Sequence, residues 1–250
     1  MKNLVYFILL LTISSYSQNS GSIEYIYISN FGINYQTIGV LEFNTERSKF
    51  TLLKPNDSLK EITTIREDNN LVISSQESNF RPINYVDRNS GNLFTYERMF
   101  KKNNLLIETI PSINWQIKEE FKDIGQFKCQ QAVGYFRGRT YTVWFANEIP
   151  VPYGPWKLQG LPGLILEVND DKNEIFIKAS KIDFKSTLNI NLPDTKEATS
   201  LQEFITVIIP KKFKKLEAEM NARADRNTTF TIGTFDRNTE KEIIYEWEEN

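Results

Sequence analysis

Apolar and polar residues alternate through most of this chain. In SIEYIYIS, residues 22–29, Ile23, Tyr25 and Tyr27 share one side of a period of two. That is the signature of a strand with one buried face. The same reading predicts strands at YQTIGVLEF, SKFTLL, NLVISSQ, PINYVD, LFTYERMF and LLIETI, separated by polar breaks such as KPNDS, EDNN and RNSGN. Strand character continues with Trp115, Ile117 and Glu119 on one face, a turn at DIGQF, and KCQQAVGYF and RTYTVWFA paired about Arg137-Gly138. LILEV and EIFIKASKIDF form a further hairpin around NDDKN. Short strands at this spacing suit a large antiparallel sheet, a sandwich or a barrel. The fold class we read is mainly β: a large curved antiparallel sheet or unclosed β-barrel, with C-terminal helices packed on it.

After Pro193 the period changes. Ser200 and Glu203 are spaced as a capping box, and Leu201, Phe204, Ile205 and Ile208 form an apolar stripe at helical spacing. Pro210 interrupts it, and Phe213, Leu216 and Met220 resume it, which predicts a kinked or broken helix over about residues 200–223. The stripe needs a partner, and the concave face of the sheet is the large one available. Either the helix fills that concavity or it is a lid over a partly open groove. Residues 18–226 then make a single β-rich domain, and residues 227–250 a C-terminal extension of weak strand character.

The first residues read as an address. Lys2 precedes the apolar run LVYFILLLTI, residues 4–13, which has the length of a signal-peptide core and is too short for a bilayer span. SYS, residues 15–17, places small residues where a signal peptidase reads them, so residues 1–17 are expected to be a signal peptide cleaved before Gln18. With no cysteine near that site a lipid anchor is not expected, and no later stretch is a membrane span. The mature chain is expected to be periplasmic or secreted.

Composition narrows the chemistry. The chain has 250 residues, 25% of them charged, and a net charge of -2, so no basic field for nucleic acid exists. It contains no histidine. That removes Ser-His-Asp and Cys-His arrangements, His-based zinc sites and the commonest general base near neutral pH. No G-x-S-x-G, P-loop or G-x-G-x-x-G occurs. Cys129 is the single cysteine and reads as a buried, inert thiol. Neither a metal nor a cofactor is expected, and no catalytic residue is assigned.

Carboxylates remain. EVNDDKNE, residues 167–174, is either a calcium loop or a solvated hairpin turn, and the EF-hand glycine and distal glutamate are missing. Glu119, Glu120 and Asp123 are either an acid-base pair or a polar strand end. The lysines of KKFKK, residues 211–215, either touch a membrane surface or form a solvated helix face. Tyr141, Trp144, Phe145, Tyr153 and Trp156, with Phe204 of the helix, either line an apolar ligand groove or pack in the core.

YGPWKLQGLPGLILEV, residues 153–168, places two prolines and three glycines in an apolar run. It reads as a structural corner. Gly154-Pro155 turns the chain, PWKLQ makes one helical turn, and Pro162-Gly163 turns again with a positive φ at Gly163. Gly160, Leu161, Pro162, Gly163, Leu164 and Ile165 spell the signature after which the GLPGLI family is named, and residues 129–171 resemble that family throughout. The resemblance implies an exported protein of Bacteroidota with no established activity, encoded near TonB-dependent outer-membrane transporters. In architecture, the strand, short turn and hairpin order resembles the LolA-type lipoprotein carriers, which implies an unclosed barrel.

The expected function is non-enzymatic: an envelope protein that binds an apolar or peptide-like ligand or docks on an envelope partner. The alternative is a structural or accessory protein of a TonB-dependent outer-membrane transporter, with no ligand of its own. A deep aromatic-lined cavity favours the first, and a filled core with an exposed apolar patch the second.

Overall fold

Fourteen strands and one long helix are present in the computed structural model among its described residues, which are 19–32, 34–53, 60–67, 70–77, 80–99, 101–185, 187–224, 229–231, 237 and 240–248. The strands are β1 (Gly21–Asn30), β2 (Asn34–Phe43), β3 (Arg47–Leu52), β4 (Lys60–Glu67), β5 (Asn70–Glu77), β6 (Ile83–Asp87) and β7 (Asn92–Met99), then β8 (Lys102–Thr109), β9 (Gln116–Ile124), β10 (Phe127–Phe136), β11 (Arg139–Ala146), β12 (Leu164–Asp170), β13 (Ile175–Phe184) and the short β14 (Thr199–Ser200). The expected signal peptide and its cleavage point before Gln18 lie outside the described residues.

Twelve strands form one sheet in the order β14-β8-β7-β6-β3-β2-β1-β13-β12-β11-β10-β9, and β4 and β5 form a separate hairpin. The fold is therefore mainly β, with an unclosed sheet, as the alternation predicts. β4 and the two-residue β14 are the strands that the spacing of apolar residues does not single out. Among the described residues the path begins in mid-sheet with β1, runs outward through β2, β3, β6, β7 and β8, crosses to the far edge at β9, and returns to pair β13 with β1. All pairs in the large sheet are antiparallel except β14 with β8.

The period of two decides which face is interior. Along β1 every second residue from Gly21 to Ser29 is buried, and along β11 Arg139, Tyr141, Val143 and Phe145 are. The main core gathers Ile23, Tyr25, Leu41, Phe43, Val143, Phe145 and Ile165, among others, from the concave side of the sheet. The Tyr25 hydroxyl donates to the Ile165 carbonyl at 2.7 Å, which satisfies a polar atom inside this apolar interior.

The corner fills the concavity. Tyr153, Gly154, Pro155, Trp156, Lys157 and Leu158 are all buried. Its backbone groups find partners within the fold: Gly160 N donates to Pro152 O at 2.9 Å and Ile165 N to Tyr153 O at 3.0 Å. The expected helical turn over PWKLQ does not form, and Trp156 instead adopts a φ of 59°. The positive φ expected at Gly163 is at Gly160, with φ 99°. Gly163 is required for a different reason: a Cβ there would lie 2.2 Å from the Ala146 carbonyl oxygen.

The helix is not broken at Pro210. α1 (Leu201–Glu203) runs through a π-helical turn (Phe204–Ile208) into α2 (Ile209–Arg223). Ile209 N–H reaches back to Phe204 O, five residues away. The widened turn lies just ahead of the proline, where a regular i→i−4 bond cannot form for want of an N–H. Ser200 caps the start by accepting from Glu203 N at 3.1 Å, as its spacing predicts. Of the stripe, Leu201 and Phe204 pack, together with Ile209, against Leu106 of β8 and Tyr245 of the C-terminal segment, and Ile205 and Ile208 lie partly buried beside them. The helix thus covers one end of the sheet, beside the corner.

Candidate binding site

A cluster of buried charges lies where β8, the β10–β11 hairpin, the corner and the C-terminal segment meet. It starts at a tight turn. Arg137 and Gly138 have φ 49° and 87°, as a two-residue turn between twisted strands demands. Arg137 is the first of the two and is only 3% exposed. Its guanidinium is paired with Glu108 of β8 and with Glu242 and Glu246 of the C-terminal segment. The ion pair with Glu108 joins β8 to the β10–β11 corner, strands well apart in the sheet order, so curvature brings them together.

Lys157 of the corner is 1% exposed. Its Nζ lies 2.7 Å from Glu108 Oε1 and 3.0 Å from Glu242 Oε1. Arg139 is buried because it continues the inner face of β11, two residues before Tyr141. It is held at 2.6 Å by Asp170 and at 2.6 Å by Glu174, and donates to the Glu240 carbonyl at 2.7 Å. Lys241 completes the array, with its Nζ 5.7 Å from the Tyr27 ring centre and 5.3 Å from that of Trp156.

The C-terminal segment is fitted closely to this turn. Ile243 N donates to the Arg137 carbonyl at 2.9 Å. A Cβ on Gly138 would stand 2.6 Å from Ile243 Cβ, so no larger residue allows the approach. Tyr245 stacks on Trp247 at 4.6 Å and lies under the Arg137 guanidinium at 5.0 Å. Glu248 accepts from Arg237 at 2.7 and 2.8 Å.

Next to the cluster is a cavity of about 340 Å³ between the sheet, the helix and the C-terminal segment. Asn84, Thr95, Glu97, Lys157, Lys241 and Glu242 contribute polar groups, while Trp156, Leu201, Ile205 and Tyr245 supply apolar walls. The charges in and around it are tuned by burial and by one another. Burial would lower the Arg137 pKa, but the Glu242 and Glu108 carboxylates raise it above its ordinary value. Burial would raise Glu242, but Lys157 and Arg137 carry it below its ordinary value. Burial raises Glu97 above the usual carboxylate range, and Lys241 offsets part of that.

The residues singled out in the sequence are placed as follows. Tyr141, Phe145, Tyr153 and Trp156 are buried in the main core. Trp144 is one residue out of phase with Tyr141 and Phe145, and half-buried under Lys122, whose Nζ lies 4.3 Å from its ring. Phe204 belongs to the separate helix cluster. Of these six, Trp156 lines the cavity. The 160–165 motif forms the end of the corner and the start of β12. Glu119, Glu120 and Asp123 are exposed on edge strand β9. The acidic loop is not simply solvated: Asp170 holds Arg139 and accepts from Glu174 N and Ile175 N, each at 2.8 Å, and Glu167 takes Lys122 at 2.5 Å and Lys178 at 3.0 Å. Cys129 is fully buried, and burial pushes its thiol up to about 11.

Sequence reasoning missed Glu108, Arg137, Arg139, Lys157 and the segment 240–248. The available signal was phase: Arg139 falls on the apolar side of its strand, and Lys157 lies inside an otherwise apolar corner.

No curated protein matches the sequence. A solved structure shares the fold. PNGF-II in one crystal form superposes with a TM-score of 0.50 at 14% identity, over 78% of this chain and 32% of that one. A second crystal form of PNGF-II gives 0.46 at 14% identity, over 73% and 31%. An uncharacterized conserved protein from Thermus thermophilus gives 0.37 at 11% identity, over 74% and 92%. This chain spans about a third of the length of PNGF-II. The expected GLPGLI and LolA-type assignments are therefore corrected. The signature at 160–165 with its flanks over residues 129–171, and a strand order, carried them, whereas the family that matches does so over residues 33–206, from β2 into the helix. By that match the chain belongs to the family described as the N-glycanase peptide, N-terminal domain.

Proposed function

We propose that this chain is a non-enzymatic binding module that takes a peptide-like ligand at the open end of its curved sheet. The observation that carries the reading is the cavity of about 340 Å³, walled by Trp156 and Tyr245 and by charges of both signs. An apolar ligand would desolvate Glu97 and Lys241 while offering neither a polar partner, at a cost of several kcal/mol per charge. A peptide supplies donors, acceptors and apolar side chains together. The N-glycanase name of the family favours a glycopeptide. The apolar run at residues 4–13 supports placing this work in the periplasm or outside the cell.

Hydrolysis is a second reading, and one observation favours it. Glu97 and Glu242 both line the cavity, and their pKa values are displaced in opposite directions. Glu242 is already engaged by Arg137 and Lys157, so binding stands first.

Calorimetric titration with an N-glycosylated peptide and its unglycosylated form, with mass spectrometry for released glycan, tests both. Saturable binding without glycan release is the expected result. Release that is lost in Glu97→Gln would replace binding by hydrolysis. Absence of binding to either peptide would overturn the module.

A further inference from the structure

The charge cluster is incomplete without the C-terminal segment. The sheet and corner place two buried cations, Arg137 and Lys157, around one carboxylate, Glu108. Glu242 supplies the second carboxylate and touches both cations. Glu246, four residues on, reaches the outer side of the same guanidinium, its Oε1 3.0 Å from Arg137 Nε. Two buried cations facing one carboxylate form a site that demands an anion.

The segment that answers this demand is held at the periphery of the fold. None of residues 240–248 belongs to the main core. Tyr245 and Trp247 join the small helix cluster. The segment's backbone meets the sheet through Ile243 and Ile244 N–H on the Arg137 carbonyl and through the Glu240 carbonyl on Arg139. The rest of the attachment is ion pairs, the Lys241 contact with two rings, and the Tyr245–Trp247 stack against Arg137. These are the contacts by which one protein holds a short peptide of another.

We infer that Arg137 and Lys157, with Glu108 between them, are a receptor site for an acidic peptide segment carrying two carboxylates four residues apart and an aromatic residue between them, and that residues 240–248 are its resident occupant. A second copy of this chain carries that pattern, and its segment takes the same place when it displaces the resident one. This site is the place that residues 240–248 themselves occupy, distinct from the cavity that Lys241, Glu242 and Tyr245 help to wall, so the inference goes beyond the binding-module reading.

The test keeps every residue of the chain. A protease site is inserted within residues 232–236, and the folded protein is cut there, leaving the segment bound without a covalent link. A fluorescent peptide RNTEKEIIYEWEEN, residues 237–250, is then added and followed by anisotropy. The labelled peptide is expected to enter the cut protein at least tenfold faster than the protein unfolds globally. It should bind the uncut protein at least tenfold more weakly, because the attached segment competes at high effective concentration. A peptide with Glu242→Gln should compete at least tenfold less well, and a scrambled peptide of equal charge should not enter. Salt should weaken exchange binding. Entry only at the rate of global unfolding would show the segment to be an inseparable part of the fold and would overturn the inference. Equal competition by the Glu242→Gln peptide would overturn the carboxylate receptor. Saturable binding of a glycosylated peptide alongside either of those results would leave the binding module standing and place its site elsewhere.

Discussion

Lys157 Nζ lies 3.0 Å from Glu242 Oε1 and 3.2 Å from Glu242 Oε2, so a lysine of the corner and a glutamate of the C-terminal segment share one buried ion pair. The two residues are far apart in sequence, and Arg137 and Glu108 complete the arrangement. Each charge in it has more than one partner, which offsets the desolvation that isolated buried ions would suffer.

Lys157→Met should destabilise the protein by about 3 kcal/mol, because Glu108 and Glu242 are left with Arg137 alone. Glu242→Gln should also destabilise it. The double variant should cost less than the two losses combined, with a coupling of roughly 1–3 kcal/mol. Urea unfolding of the four proteins measures this. Additive losses would show that the pair does not act as a unit.

Acid should release the C-terminal segment. Glu242 is held below its ordinary 4.5 in the folded state, so its contribution is whole above that value and is lost as pH falls through the lower folded pKa. Glu97 runs the other way: burial raises it above 4.5, so its contribution is whole below that value and is lost as pH rises through the raised pKa. Stability measured by urea midpoint should therefore fall on the acid side, and decline gently between 4.5 and the raised Glu97 pKa before levelling off. Glu242→Gln should flatten the acid limb, and Glu97→Gln the other. An unchanged acid limb in Glu242→Gln would count against its pairing.

Two glycines of the corner should fail for different reasons. Gly163→Ala places a Cβ 2.2 Å from the Ala146 carbonyl oxygen and should cost about 1–3 kcal/mol through overpacking. Gly160→Ala meets open surroundings but keeps a φ of 99°, and should cost roughly 1–2 kcal/mol in backbone strain. Thermal melts of both report the costs. A Gly163→Ala protein that melts like wild type would mean that the corner does not press against β11.

The helix should be anchored by its buried stripe. Phe204→Ala should cost about 3 kcal/mol, as a core truncation does, whereas Val207→Ala, on the exposed side, should change stability by less than about 0.5 kcal/mol. Equal effects in chemical denaturation would place the stripe elsewhere.

Cys129 should resist modification. Its thiol is buried and raised to about 11, so thiolate is scarce near neutral pH. Iodoacetamide at about pH 7.5 should label it only after denaturation, with mass spectrometry as the readout. Rapid labelling of the native protein would contradict its burial.

Alternation was enough to read most of this fold from the sequence. The strands around Ile23, Tyr25 and Tyr27, the Arg137-Gly138 corner, the hairpin after LILEV and the capped helix at Ser200 all follow from local rules, because side-chain period, turn chemistry and caps are properties of neighbouring residues. The π-helical turn ahead of Pro210, the positive φ at Gly160 and the filling of the concavity by residues 153–158 were settled by packing. The groove expected from Tyr141, Trp144 and Phe145 met the same limit, since the three do not share a face of β11. The charge cluster was beyond local reading altogether. Glu108, Arg137, Lys157 and Glu242 lie on four different segments, and a lone charge in a sequence looks alike whether water or a distant carboxylate receives it. Only curvature of the sheet brings β8 to the β10–β11 turn, and only the returning C-terminal segment supplies the carboxylate that makes burial of both cations tolerable.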